Sequence, residues 1–190
     1  GIKQILSPDV TACAGSVTPS LLIRNYGTNV IDSVQIEFFL NGNPVETQTF
    51  SGLNLLTNAQ ATVNFFPTTI SFGTSYTFSF QILQVNGVAD GNTINNSLSI
   101  STIAPTQASL PLIETFSSVP AGWRIENPDG LITWASVSLA GSSHAMYMDF
   151  YDYDNYGTYD RLITPVLDLT SASVASISFD WAYAAYAGSN

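Results

Sequence analysis

An acidic and aromatic run between positions 149 and 160 contains the residues best suited to chemistry. It reads Asp149-Phe150-Tyr151-Asp152-Tyr153-Asp154-Asn155-Tyr156-Gly157-Thr158-Tyr159-Asp160. Carboxylate and hydroxyl oxygens suit Ca²⁺, which takes about six to eight oxygen ligands. An EF-hand loop that starts at Asp152 would place Tyr156 and Ile163 where oxygen ligands are needed, so the spacing argues against that motif. Another cation geometry and a solvated acidic hairpin tip both stay open.

The tyrosines of this run predict a second kind of chemistry. Tyr rings beside Asp and Asn stack on sugar rings and hydrogen-bond to sugar hydroxyls, and such a surface also suits a protein contact. Tyr is equally a good strand former whose ring covers a half-exposed sheet, and that alternative stays open. The candidate ligand-binding residues are Tyr151, Tyr153 and Tyr156.

The sequence supports no catalytic constellation. His144 is the only histidine, so a zinc site of several histidines is impossible, and the residues around it match no nucleophile signature. No glycine-rich sequence follows a strand and opens a helix, so a phosphate-binding loop is not supported. An acid pair flanking a glycosidic bond stays open as an alternative, with a pool of Asp149, Asp152, Asp154 and Asp160. We assign no catalytic residue.

Composition excludes two classes of partner. The chain has 14 acidic residues against 4 Lys and Arg, a net charge of -10, and such a surface repels nucleic acid. No run approaches the roughly 18 consecutive apolar residues of a membrane helix, so we expect no membrane insertion. Few Lys and many Ser, Thr and Asn suit an extracellular or outer cell-surface location, with any export signal upstream of Gly1. The lone Cys13 allows no internal disulfide and is predicted to be a small, half-buried hydrophobe.

Apolar residues alternate with polar ones between Gly, Asn and Pro punctuation, which predicts an all-β protein. Asn41-Gly42-Asn43 tolerates positive φ and predicts a hairpin. Six or seven strands in about a hundred residues are typical of an immunoglobulin-like sandwich. The strands predicted for this part of the chain are 17–25, 33–40, 45–50, 61–66, 75–85 and 97–102.

The first hundred residues also contain a series of family motifs. They are Ile23-Arg24-Asn25-Tyr26-Gly27-Thr28-Asn29, Asn41-Gly42, Phe50-Ser51-Gly52-Leu53 and Asn92-Thr93-Ile94-Asn95-Asn96. In this order they resemble the CARDB type of immunoglobulin-like module of bacterial surface proteins, over about residues 7–102. The stretch 103–109 is small, polar and contains a Pro, which predicts a domain boundary. We therefore expect an immunoglobulin-like domain over 1–104 and a second domain over 105–190.

The second segment has its own order of landmarks. They are Glu114-Thr115-Phe116, Pro120-Ala121-Gly122-Trp123, Trp134, a strand at 145–150, the stretch 161–169 and a strand at 177–183. Together they resemble the opening half of MAM-like jelly rolls, the cleaved-adhesin or choice-of-anchor J domains of secreted Bacteroidetes proteins. The resemblance implies a truncated jelly-roll β-sandwich over 105–190. It also implies a structural Ca²⁺ ion held by Glu114 and Asp180, with Asp149 as a further ligand. The alternative is that Asp180 faces water.

These resemblances imply non-catalytic accessory or adhesion modules of a secreted or cell-surface multidomain protein. The first module would be a rigid spacer, and the second would present a surface to a polysaccharide or protein ligand. The segment itself is expected not to be an enzyme, although its parent could be a secreted metallopeptidase. Two alternatives stay open: a fragment of a secreted hydrolase to which the modules contribute, and a pair of purely structural spacers.

The alternating segment 177–183 is predicted to be a strand whose return strands lie outside this sequence. A strand needs neighbours to satisfy its ladder and to cover its apolar face. We therefore expect it to pair with another copy of the chain or with the first domain.

Overall fold

The computed structural model describes residues 1–153 and 157–183, and the chain divides into two compact units, Gly1–Pro105 and Thr106–Asn190. Regular structure in the described residues is almost entirely β, so the all-β prediction is confirmed. The two short 3₁₀ helices are Thr93–Asn95 and Ala140–Ser142.

The first unit is an immunoglobulin-like β-sandwich. Its strands are β1 (Ile2–Ser7), β2 (Gly15–Val17), β3 (Ser20–Arg24), β4 (Val34–Leu40), β5 (Asn43–Phe50), β6 (Gln60–Asn64), β7 (Thr68–Ile70), β8 (Thr74–Val85) and β9 (Ser97–Ala104). One antiparallel sheet has the order β1-β3-β6, and the other has the order β5-β4-β8-β9. Strands β2 and β7 form a separate antiparallel pair.

Apolar side chains at alternate positions of the strands form the core between these sheets. In β4 the side chains of Val34, Ile36 and Phe38 are buried, and the residues between them are less so. The same alternation buries Phe78, Phe80 and Ile82 in β8, because successive side chains of a strand point to opposite faces. The opposite sheet supplies Leu21, Ile23 and Val63 to the same cluster.

The hairpin prediction at Asn41-Gly42-Asn43 is confirmed. Asn41 has φ 52 and Gly42 has φ 78, and Leu40 pairs with Asn43 across the turn. Positive φ at both central residues gives a two-residue turn whose twist matches the flanking strands. The Asn41 side chain also accepts a hydrogen bond of 2.8 Å from the N–H of Thr77 in β8.

The first unit differs from the sequence prediction in several strand boundaries, in the unpredicted strands β1 and β7, and at Cys13, which is exposed and not half-buried. The predicted strand 17–25 is divided into β2 and β3 at Pro19, which has no N–H to donate to a ladder. Strand β1 was not predicted, because it shows little alternation: only Ile2 is buried, and Lys3 and Gln4 are both exposed. Pairing with β3 places it in the sheet all the same.

A buried side chain, Asn25, joins the loop 25–29 to the backbone at Leu55. Its Nδ2 donates to the carbonyl oxygens of Asn29 at 2.7 Å and Leu55 at 2.9 Å. Its Oδ1 accepts from the N–H of Gly27 at 2.9 Å, and the residue is only 1% exposed. A buried amide is stable there because its donors and one acceptor are satisfied.

The second unit is built differently in its described residues. Its strands are β10 (Gln107–Ala108), β11 (Arg124–Glu126), β12 (Ala135–Ser138), β13 (His144–Tyr147), β14 (Arg161–Ile163) and β15 (Val166–Leu167). They form three pairs, β10 with β15 in parallel and β11 with β14 and β12 with β13 antiparallel. Among its described hydrophobic residues only Met148 is buried. The apolar core of this unit is therefore small.

The strand predicted at 177–183 is absent, so that prediction is wrong. The segment forms no ladder, and its apolar residues Ile177, Phe179, Trp181 and Tyr183 are between 71% and 79% exposed. Alternation indicates only which side chains would lie on each face of a strand. A ladder also needs a neighbouring strand that supplies hydrogen-bond partners. The strand predicted at 145–150 is shorter than expected, since β13 covers 144–147.

The Asn25 network yields a stability prediction. Asn25→Ala removes three hydrogen bonds, including the buried one to the Leu55 carbonyl, so the free energy of unfolding should fall by about 1–3 kcal/mol. Urea unfolding followed by circular dichroism measures the change. The control Asn64→Ala, at an exposed position of β6, should stay within about 0.5 kcal/mol of the parent. Equal effects of the two changes would contradict the assigned role.

Candidate functional site

The three predicted metal ligands have different surroundings. Glu114 accepts hydrogen bonds of 2.9 Å from the N–H groups of both Thr115 and Phe116. Asp149 accepts one of 3.0 Å from the N–H of Tyr151, and Asp180 is exposed outside any strand. Within residues 1–153 and 157–183, no group of three or more His, Cys, Asp or Glu is arranged to hold a metal ion. The structure therefore does not bring these three carboxylates together as such a group.

The carboxylate of Glu114 has a local structural task. Phe116 adopts φ 58, a left-handed conformation that is uncommon for a bulky residue. Two hydrogen bonds from this turn end on Glu114 Oε1, and the Phe116 ring packs edge-on against Trp123 with ring centroids 5.5 Å apart. The Phe116 carbonyl also accepts a 2.6 Å hydrogen bond from Ser136 Oγ. Glu114 thus stabilises the turn that positions Trp123.

The predicted ligand-binding tyrosines are divided between two environments. Tyr151 is 64% exposed, whereas the hydroxyl of Tyr153 turns inward and contacts Asp129. Tyr156 lies outside the described residues. Three further aromatic residues of the stretch 147–159 are exposed, and with Tyr151 they make up the set that we call the aromatic surface: Tyr147, Phe150, Tyr151 and Tyr159.

Electrostatics distinguish one member of the aromatic surface. Burial, followed by the hydrogen bond and charge of Asp149 and the charge of Asp152, raises the pKa of Tyr147. Its hydroxyl therefore remains protonated to higher pH than an ordinary Tyr and stays available as a hydrogen-bond donor.

A cluster of oxygen atoms surrounds Asp129. The Tyr153 hydroxyl lies 2.6 Å from Asp129 Oδ2, and the Thr158 hydroxyl lies 2.8 Å from the same atom. The two hydroxyls are 2.6 Å apart, and Asp129 Oδ1 accepts a 3.0 Å hydrogen bond from the N–H of Leu131. We call Asp129, Tyr153, Thr158 and the neighbouring Asp160 the acidic cluster.

Asp160 is the unusual member of the acidic cluster. Both of its carboxylate oxygens are buried, and in the described part of the chain neither has a hydrogen-bond partner. Its backbone carbonyl accepts a 3.3 Å hydrogen bond from Trp134 Nε1, which fixes this stretch beside the indole. The hydrogen bond to Asp129 raises the pKa of Tyr153, and the charges of Asp129 and Asp160 raise it further.

The two arginines of the second unit form ion pairs with an acid outside the acidic cluster. Arg124 and Arg161 both form ion pairs with Glu126, at 2.9 Å and 3.1 Å. The pairing of β11 with β14 places Glu126 opposite Arg161. These are the only two Lys or Arg residues in 105–190, where nine acids lie. Both arginines of the second unit therefore pair with the same carboxylate.

Sequence reasoning identified only part of this cluster. Asp160 entered only as one of a pool of acids, and Tyr153 was named as a ligand contact. Asp129 and Thr158 were not singled out, since 29 residues separate them. The sequence Asp129-Gly130 predicts a turn at this position. It does not predict which side chains the turn contacts.

The chain matches a known family over its first unit. The CARDB family profile matches residues 2–100, more than half of the chain. No curated protein matches the chain. Within the described residues, no helix is both long and apolar enough to cross a membrane.

Two solved structures are similar to the same part of the chain. A CARDB domain from Pyrococcus furiosus, in complex with di-metal ions, is 20% identical with a TM-score of 0.43, covering 53% of this chain and 87% of that one. A domain of a protein described as a cell surface protein from Methanosarcina acetivorans is 24% identical with a TM-score of 0.42, covering 54% and 87%. On the strength of the profile match and the immunoglobulin-like sandwich beneath it, the chain belongs to the CARDB family.

Proposed function

We propose that this chain comprises non-catalytic accessory or adhesion modules of a secreted or cell-surface multidomain protein. The observation that carries the proposal is the CARDB match over the first unit, because CARDB domains are non-catalytic modules of cell-surface proteins. The closed core and the tightly paired sheets of this unit suit a rigid spacer.

The second unit supplies the contact surface in this proposal. Four large aromatic side chains of the aromatic surface are between 48% and 76% exposed. Exposed aromatic residues with neighbouring carboxylates suit stacking on a polysaccharide or packing against a protein ligand. We propose an extracellular or outer cell-surface location on the same grounds.

We further propose that residues 105–190 are the N-terminal part of a MAM-like jelly roll of the cleaved-adhesin type, as in Bacteroidetes proteins. The motif order in the sequence supports this, and so do the three separate strand pairs and the small core of the described residues. The alternative, a fragment of a secreted hydrolase with these modules aiding targeting, has no described acid pair that favours it. The acids in its pool include Asp149, bonded to a backbone N–H, and Asp160, with a buried carboxylate.

The aromatic surface predicts a loss of ligand binding on truncation. Tyr151→Ala combined with Tyr159→Ala should weaken binding to a polysaccharide found on a glycan array by about tenfold, since each stacked ring contributes about 0.5–1.5 kcal/mol. Isothermal titration measures the affinity of each variant. Tyr26→Ala, a half-exposed tyrosine of the first unit, is the matched control. Binding that is unchanged in the double variant would contradict a role for these rings.

A structural Ca²⁺ ion held by Glu114, Asp149 and Asp180 stays a prediction of the jelly-roll resemblance. If it binds there, Ca²⁺ should raise the melting temperature of the chain, and Glu114→Ala and Asp180→Ala should each abolish the rise. Differential scanning calorimetry with and without Ca²⁺ measures this. Stabilisation that survives in both variants would remove the assignment.

Self-association through 177–183 also stays a prediction. Four alternate apolar side chains of this segment are exposed, and an extended segment of that kind pairs readily with a second copy. Sedimentation velocity should show a dimer that Trp181→Lys disrupts and that Val88→Lys, at an exposed apolar position of the first unit, leaves intact. A monomer at all concentrations would contradict the prediction.

A further inference from the structure

We propose that β5 is a protected edge of the first unit, built so that a second copy of the chain does not add a strand to it. Three features of the strand carry the proposal: Pro44, a bulge at Val45 and the carboxylate of Glu46 on the core side. The proposal concerns the first unit alone and does not depend on the proposed binding function.

The position of β5 is what makes protection necessary. It is the outermost strand of the sheet β5-β4-β8-β9, and in the part of the chain that the structure describes no strand pairs with its outer side. The opposite edge of this sheet is partly covered, because Ile103 of β9 accepts a 3.1 Å hydrogen bond from the N–H of Ala12 and donates one of 2.9 Å to the carbonyl of Val10. An open edge presents unpaired N–H and C=O groups to a strand of another molecule. The eight residues of β5 are enough for such a ladder.

The first feature is Pro44, which has no N–H. Asn43 pairs with Leu40 beside the two-residue turn, and Pro44 pairs with Phe39 at the next position. The pair that closes a two-residue turn is hydrogen-bonded, and hydrogen-bonded and non-hydrogen-bonded pairs alternate along an antiparallel ladder. The nitrogen of Pro44 therefore faces the open side of β5. An incoming strand finds no donor at this position.

The second feature is the bulge. Glu46 pairs with Phe38 of β4. Pro44 pairs with Phe39, and the register shifts between these two pairs. Val45 is therefore left without a partner on β4. An extra residue of this kind bends the strand and increases its local twist, so the edge does not present the flat row of backbone groups that a second strand needs.

The third feature is a charge on the core side of the strand. Glu46 lies opposite Phe38, which is 0% exposed, and directly opposed residues of an antiparallel pair share one face of the sheet. Glu46 Oε2 accepts a 3.1 Å hydrogen bond from the N–H of Phe66, whereas Oε1 is buried and has no hydrogen-bond partner among the described residues. A strand added beside β5 would bury this carboxylate further. An ionised carboxylate is costly to bury without a partner, so the charge opposes the addition.

The side-chain pattern of β5 differs from that of its neighbour in the same sense. The core side of β4 is apolar, whereas the core side of β5 begins with Glu46 and Gln48 and its outer side carries the exposed Val45 and Thr47. Gln48 Oε1 is also buried with no partner in the described part of the chain. Apolar residues at 46 and 48 would add to the core, so the polar residues there favour a role in preventing association.

Sedimentation velocity of the full chain tests the edge. The background is Trp181→Lys, which removes any association through 177–183, so this test and the earlier one fail independently. Pro44→Thr combined with Glu46→Val restores the donor and removes the charge, and we expect the pair to tighten self-association by about tenfold or more. The matched control Gln81→Val adds the same apolar side chain to an exposed position of the central strand β8 and should leave association unchanged.

A second double variant covers the case in which Glu46→Val folds poorly. Glu46→Gln keeps an acceptor for the N–H of Phe66 and removes the charge, so Pro44→Thr with Glu46→Gln should also associate more tightly than the background. Hydrogen exchange locates the contact: amides of residues 43–50 should become more protected as the concentration rises, and those of β1 should not. Association no tighter than the background in either double variant, an equal effect of Gln81→Val, or protection gained outside β5 would overturn the proposal.

Discussion

The packing of Phe38 against its aromatic neighbours is the contact on which the first unit depends. Its ring lies 5.1 Å from Phe80, 5.6 Å from Phe78 and 5.8 Å from Phe65, and all four side chains are buried. Phe38 and Phe80 are direct partners across β4 and β8, while Phe65 approaches from the chain that follows β6. One ring therefore joins the two layers of the sandwich. Large aromatic side chains bury more apolar area than any other residue, and this area offsets the entropy of ordering so many short strands.

Hydrogen bonds of polar side chains hold together parts of the first unit that lie outside its apolar core. Asn25 satisfies the carbonyls of Asn29 and Leu55, and Thr102 donates a 2.9 Å hydrogen bond from its buried hydroxyl to the Asp9 carbonyl. Both side chains connect segments far apart in sequence, so they fix loops that the sheet ladders leave free. A unit held in this way is stiff, which agrees with its proposed use as a spacer.

In the second unit, charged side chains take part in the contacts between distant segments. Few apolar side chains are buried among its described residues, and most acids of the chain lie here. Two arginines form ion pairs with Glu126, while both carboxylate oxygens of Asp160 are buried with no hydrogen-bond partner among the described residues. Burying a carboxylate without a partner opposes folding, so Asp160 lowers the stability of this unit.

The sequence by itself determined the local features of this protein. Alternation located the buried faces of β4 and β8, Asn41-Gly42 located the hairpin between β4 and β5, and the motif order indicated the CARDB family. Each of these is written in residues that are neighbours along the chain. Pro19 likewise separates β2 from β3, because a proline has no N–H to donate to a ladder.

Only the tertiary structure decided which distant residues meet. It joined Thr158 and Tyr153 to Asp129 across 29 and 24 residues, buried the carboxylate oxygens of Asp160, and left 177–183 without a ladder despite its alternation. The physical reason is that the alternation of side chains is a property of one strand at a time. The packing of the whole domain decides which strands pair and which distant side chains meet. A carboxylate such as that of Asp160 looks the same in the sequence whether it is solvated or buried, and only its surroundings in the fold decide which.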